Sequence, residues 1–239
     1  MLPWSDQVLI TDSGSQEAKL FSTDGALVTN LATDLSSPSG HCIMPDLRQI
    51  AIINFDTKLV TVYELDPDSS TGFRKLRSFP TGLDCPAYIT RTKSDHLVIS
   101  DWSANKLRIY NSQGKFLKQI SKSGAAQGQI SKPQGVHGDK QGNLLLGEKG
   151  NRRIQIFNED GESTFLMDKK TYELGIPMAL DTTEDGFMIV AEYQGSVKFF
   201  KYLDLPEVCP MPVGQKPKGR AISAVCPEVF APSNSESMM

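Results

Sequence analysis

Long apolar runs are missing from this chain: no stretch approaches the roughly 20 residues needed to cross a bilayer. The first residues lack the charged, apolar and small-residue order of a signal peptide, so the expected location is cytoplasmic. Cysteine is scarce. Cys42, Cys85, Cys209 and Cys226 are scattered without C-x-x-C spacing, which argues against a zinc knuckle or a dense disulfide framework and for reduced thiols. There is no glycine-rich phosphate loop, no G-x-S-x-G elbow and no H-E-x-x-H pair. No cofactor is expected. Helical periodicity is almost absent, which leaves β-structure as the source of the core that 239 residues with 39% hydrophobic content can bury.

What is present is a repeat. A short apolar stretch ends in a small acidic or polar residue, a polar loop follows, and an aromatic sits about nine residues beyond. The copies are Ile10-Thr11-Asp12 with Phe21, Ile53-Asn54 with Tyr63, Ile99-Ser100-Asp101 with Tyr110, Gly147-Glu148 with Phe157 and, one residue short, Ala191-Glu192 with Phe200. Spacings of 42, 47, 47 and 44 residues between these anchors match one four-stranded propeller blade.

Alignment on the anchor brings other positions into register. Pro38, Pro86, Pro133 and Pro177 open the units. Gly142-Asn143, Asp185-Gly186 and Asp95 mark a first hairpin, where a tight turn needs positive φ. Segments 106–110 and 153–157 alternate in character, so one face of each is expected to be buried. Gly25, Gly114 and Gly161 then mark a second hairpin, whereas the second unit has a longer connection from Glu64 to Gly72. Four strands per unit and two hairpins predict an all-β fold, a β-propeller of about five four-stranded blade units.

The segments Asp101-Trp102-Ser103-Ala104-Asn105-Lys106-Leu107-Arg108-Ile109-Tyr110 and Glu148-Lys149-Gly150-Asn151-Arg152-Arg153-Ile154-Gln155-Ile156-Phe157 resemble the core of the NHL repeat. Pro133-Gln134-Gly135-Val136 followed by Asp139-Lys140-Gln141-Gly142-Asn143 does so too. The likeness covers roughly residues 6–203. It implies a platform for protein or RNA partners. In tripartite-motif NHL proteins the propeller is the C-terminal substrate-recognition part of a ubiquitin ligase, joined to a RING, a B-box and a coiled coil. None of these lies within the 239 residues, so ligase activity is not expected of this chain alone.

Such propellers usually have six blades, on the order of 270 residues at this period. Here the first unit lacks its innermost strand and the fifth loses the pattern after three, which predicts a partial or truncated ring spanning 1–205. Residues 206–239 read as a Pro/Gly/Ser-rich tail, with 221–225 as one β-like run able to cover an open edge.

Function on a propeller usually lies in loops of one face. The residue after each anchor gives an equivalent set: Ser13, Phe55, Trp102, Lys149 and Tyr193. Three are large aromatics, suited to anchoring a partner or to packing between blades. Lys58, Asn105, Lys106, Asn151 and Arg152 surround them, and Lys122 and Lys132 lie in the neighbouring connection. From Arg91 to Arg153 twelve Lys or Arg face four acids, a balance of +8 that leaves −11 elsewhere. Aromatics interleaved with cations suit an acidic peptide or single-stranded RNA. The leading expectation is a non-catalytic module that binds a protein, with RNA second and a metal-dependent lyase or hydrolase a distant third. For that last reading the ring four residues after each proline is Cys42, Thr90, His137 and Asp181, chemically able to hold zinc. His41, one place earlier in its strand, should point away from the face that carries His137.

Overall fold

A computed structural model describes residues 6–44 and 48–202. Five antiparallel meanders follow one another along the chain and pack as propeller blades. Blade 1 contains β1 (Gln7–Asp12), β2 (Glu17–Ser22) and β3 (Leu27–Ala32). Blade 2 contains β4 (Pro38–Met44), β5 (Gln49–Asn54), β6 (Leu59–Leu65) and β7 (Phe73–Pro80). Blade 3 contains β8 (Pro86–Arg91), β9 (Leu97–Asp101), β10 (Lys106–Tyr110) and β11 (Phe116–Ile120). Blade 4 contains β12 (Pro133–Gly138), β13 (Leu144–Glu148), β14 (Arg153–Phe157) and β15 (Ser163–Met167); blade 5 contains β16 (Pro177–Thr182), β17 (Phe187–Glu192) and β18 (Val197–Lys201). The central three sheets thus have four strands, whereas the first and last have three among the described residues. The prolines open the inner strands, as the repeat predicts. The tail 206–239 and its run 221–225 lie outside the described residues.

Each blade is held to the next by an apolar layer. Ile50 and Ile52 of β5 pack with Leu9 and Leu20 of blade 1, while Ala51 and Ile53 join Ile89 and Leu97 of blade 3. Val98 and Leu107 meet Leu144 and Leu146, and Leu145 joins Met188 and Val190. A second strand therefore buries both faces, which is why these segments read as continuous apolar runs. Each such Ile or Leu contributes about 1.5–3 kcal/mol by leaving water.

The hairpins follow the sequence. Gly25, Gly114, Gly142, Gly161 and Gly186 all have positive φ, as do Asp95 and Arg48 in the equivalent turns of blades 3 and 2. One expectation needs correction. Segment 153–157 is buried throughout, not on one face, because Arg153 and Gln155 turn inward into a polar network.

Candidate partner-binding face

The loops after the second strands gather at one end of the blades, and the anchors fix them there. Asp101 Oδ1 accepts from Ser103 N and Ala104 N at 3.0 and 2.9 Å, closing its own turn. Its Oδ2 accepts from Asp84 N at 2.8 Å and Cys85 N at 3.3 Å in the connection arriving from blade 2. Burial pushes this carboxyl up, but the N–H groups of Ala104 and Asp84 outweigh it and hold the group below the usual carboxylate range. Asn54 repeats the role by accepting from Ser36 N at 2.9 Å, and Glu192 by accepting from Gly175 N at 2.6 Å. The anchor is therefore a staple between one blade's turn and the preceding connection.

Blade 4 solves the same problem differently. Its connection is the longest, and Glu148 is fully buried against Arg153, with Arg153 Nε 2.7 Å from Glu148 Oε2. Arg153 in turn donates to the carbonyls of Ala125, Ala126 and Gln129, and Gln155 Nε2 donates to Glu148 Oε1 at 2.6 Å. The sequence carried one signal of this network: a cation five residues after a buried acid, in the unit with the longest loop.

Turn geometry repeats as well. Gln16, Lys58, Asn105 and Arg152, each four residues after its anchor, are left-handed with φ of 60, 59, 52 and 51°. In blade 5 Gly195 takes that conformation at φ 87°, one place earlier. This accounts for the fifth copy's being one residue short.

The face divides the candidate residues into two groups. Phe55 is half-buried beneath Lys58, whose Nζ lies 5.1 Å from the ring centroid and also donates to Asp84 O of the next connection. Asn105 Oδ1 accepts from Lys132 N at 2.7 Å, and Asn151 Nδ2 donates to Glu148 Oε2 at 2.7 Å and Gly124 O at 2.9 Å. Those four side chains bind the scaffold together. Lys106 is half-buried in β10, opposite Asp101. In contrast, Trp102 is 41% and Tyr193 66% exposed. Lys149 and Arg152 are exposed as well, with Lys149 Nζ 5.3 Å from the Tyr193 ring centroid across the boundary of blades 4 and 5. Ser13, Lys122 and Lys132 are exposed too.

The basic sector does not collect on this face alone. Arg91 pairs with Asp95 at the opposite, hairpin end, and Lys140 pairs there with Glu184. Arg108 lies along blade 3, its guanidinium 5.2 Å from the Phe116 ring centroid, and Arg153 is internal.

At the hairpin end of the inner strands lies a cavity of about 790 Å³ that includes Cys42, Thr90, His137 and Asp181 in its wall. Thr90 Oγ1 accepts from Gly138 N at 3.1 Å. His137 Nε2 lies 2.9 Å from Thr182 Oγ1, and its Nδ1 lies 3.5 Å from Asp181 Oδ1. Burial lowers the His137 pKa, against the opposing pull of Asp181. His41 also lines this cavity, with its Nδ1 3.4 Å from Thr11 Oγ1 of blade 1. Among the described residues no group of three or more His, Cys, Asp or Glu is arranged to hold a metal ion.

Burial drives the Cys42 thiol up to about 12. Alkylation of the folded protein at pH 8 is therefore expected to leave Cys42 unmodified, with reaction only after denaturation. Peptide mass mapping that finds Cys42 labelled as fast in the native as in the unfolded chain would contradict this packing.

No family model and no curated protein matches this chain in sequence. Solved structures do match in shape. A chain of the nidogen/laminin complex is 20% identical with a TM-score of 0.64, covering 82% of this chain and 71% of that one. Catalytically inactive virginiamycin B lyase from Staphylococcus aureus with quinupristin is 16% identical with a TM-score of 0.61, covering 82% of this chain. The protein spans 64% of that lyase chain's length. The WD40 propeller domain of Doa1 is 13% identical with a TM-score of 0.61, over 82% of this chain and 60% of that one. At such identities these likenesses show the β-propeller fold alone.

Proposed function

We propose that this chain is a cytoplasmic, non-catalytic recognition module that binds a protein partner through the face bearing Trp102 and Tyr193. The observation that carries the reading is the exposure of these two aromatics, 41% and 66%, on turns whose backbones are stapled by buried anchors. Rigid, exposed aromatics lose little conformational freedom on binding and dominate interface energetics. Lys149 lies over the Tyr193 ring, and Arg152, Lys122 and Lys132 are exposed in the turn and connection of blade 4, so the fitting partner segment is acidic and carries apolar side chains. In its finer form, the face holds the substrate of a ubiquitin-ligase-type protein whose catalytic domain lies outside these 239 residues.

The test is affinity capture with the parent chain and with Trp102→Ala and Tyr193→Ala, followed by titration of the recovered partner. Each substitution is expected to weaken binding about 30-fold, or about 2 kcal/mol, while leaving the unfolding midpoint in place. Equal affinity of parent and variants would remove this face from the interaction. The second reading rests on the same cations. Single-stranded RNA that binds at low salt, releases steeply as salt rises and is lost on changing Lys106, Lys149 and Arg152 to Glu would favour it, and a panel without retention at low salt ends it.

A further inference from the structure

Three consecutive turns of the aromatic-bearing face are bonded to one another. Asn105 Oδ1, in the turn that carries Trp102, accepts from Lys132 N at 2.7 Å, and Lys132 O accepts from Lys149 N at 3.0 Å. The Lys149 ammonium then lies over the Tyr193 ring, 5.3 Å from its centroid. Trp102, Lys149 and Tyr193 therefore stand in a fixed order along blades 3, 4 and 5. Val197, 48% exposed at the start of β18, adds apolar surface just after the turn of Tyr193.

This strip has no exposed acid of its own. Segments 102–105, 149–152 and 193–196 and the connection 121–132 hold no Asp or Glu, and the anchors Asp101, Glu148 and Glu192 are buried. Elsewhere on the surface cations are matched, Lys19 with Asp12 and Glu17, Arg74 with Glu64 and Lys140 with Glu184. Lys132, Lys149 and Arg152 are exposed and make no ion pair with a carboxylate among the described residues. An acidic partner supplies the missing counter-charge.

Spacing follows from the packing of the blades. Sheets stacked face to face lie about 10 Å apart, so Trp102 and Tyr193, separated by two blade steps on a curved ring, stand about 15–20 Å apart. An extended peptide advances about 3.3 Å per residue and sends alternate side chains to one face. Two side chains on one face at that separation are about six residues apart. The two places between them on the same face then lie over blade 4, where Lys149 and Arg152 are exposed.

We propose that this strip takes an extended acidic peptide with two apolar side chains about six residues apart, one against Trp102 and the other against Tyr193 and Val197, and with carboxylates between them meeting Lys149 and Arg152. The proposal rests on the protein-recognition reading of this face and adds the class of segment recognised. A nucleic-acid backbone would need a longer cationic track. Arg91 and Lys140 lie at the hairpin end and Arg153 is internal, so they cannot extend this one.

Isothermal titration of the full chain with synthetic nonapeptides tests this. The probe has leucine at its second and eighth positions, glutamate at its fourth and sixth, and serine elsewhere. It is expected to bind, and replacing either leucine by alanine should weaken binding about tenfold, the loss of one buried apolar side chain. Moving the second leucine to the fifth or seventh position should do the same, because it then faces away from the strip. Trp102→Ala should abolish the sensitivity to one leucine and Tyr193→Ala the sensitivity to the other, both variants keeping the parent's unfolding midpoint. Lys149→Glu combined with Arg152→Glu should reverse the charge preference, favouring a probe with lysine in place of glutamate. Equal affinity at every leucine spacing, or losses in both aromatic variants that simply add to those of the peptide changes, overturns the proposal. Displacement of the probe by an equimolar seven-nucleotide oligouridylate also overturns it and assigns the strip to RNA. Failure of every peptide while Trp102→Ala still weakens a captured natural partner overturns the linear segment and leaves the recognition reading standing; failure of the peptides with no effect of Trp102→Ala removes both.

Discussion

Glu148→Ala is expected to destabilise the protein by about 3–5 kcal/mol, the cost of stranding a buried cation. The Glu148 side chain is fully buried and that of Arg153 is 8% exposed, so neither is well placed to find water once its partner is gone. The loss would not stop at the pair. Asn151 and Gln155 also donate to Glu148, and Arg153 holds the carbonyls of Ala125, Ala126 and Gln129, so the connection 121–132 would loosen with it. Urea unfolding should show the midpoint falling by about 1–2 M for a domain of this size. Removing both charges with Glu148→Leu and Arg153→Met should cost less than Glu148→Ala alone, because no unpaired charge then remains inside. A single variant as stable as the parent would mean that water reaches the site, and the burial described above would be wrong.

That network also marks where the sequence stops being informative. The anchor positions are visible as a repeat because every blade needs a polar group at the end of its second strand. Their task is visible only in three dimensions, since the N–H groups of Asp84, Cys85 and Gly175 come from connections 16 to 17 residues away. Alternation in 153–157 reads as a half-exposed strand, yet Arg153 and Gln155 are internal because the long connection folds over them and presents carbonyls in need of donors. The hairpins are legible for a local reason: positive φ selects glycine, and the choice needs no tertiary knowledge. The aromatic ring of positions is only partly legible. Its periodicity places Phe55, Trp102 and Tyr193 at one end, but periodicity cannot tell that Lys58 bridges to Asp84 and folds over Phe55 while Trp102 and Tyr193 stay open. The basic sector likewise reads as a single patch because sequence proximity conceals the division of β-strands between two ends and an interior.

Gly135→Ala is expected to destabilise by about 3 kcal/mol, at the upper end of overpacking costs. The reason is spatial and not conformational, because Gly135 does not have positive φ. An added Cβ would lie 2.7 Å from both Ala179 Cα and Met178 O and 3.1 Å from Leu180 N, all backbone atoms of β16. A flexible side chain could swing away from such a contact, but a strand held in its own sheet must move as a unit. Blades 4 and 5 would have to separate at the inner strands, which opens the layer formed by Leu145, Met188 and Val190 and costs apolar contact along its length. Gly25→Ala provides the contrast, since nothing lies within 4 Å of its Cβ position while its φ is 90°. There the expected cost is about 1–2 kcal/mol, from the left-handed backbone alone. Thermal unfolding of the two variants beside the parent separates the causes. Ala179→Gly should recover part of the loss in Gly135→Ala by leaving β16 freer to shift, and should recover none of the loss in Gly25→Ala, which lies in a different blade. Equal costs for the two glycine substitutions, with no coupling to position 179, would show that β12 and β16 do not approach as closely as the spacing at Gly135 requires.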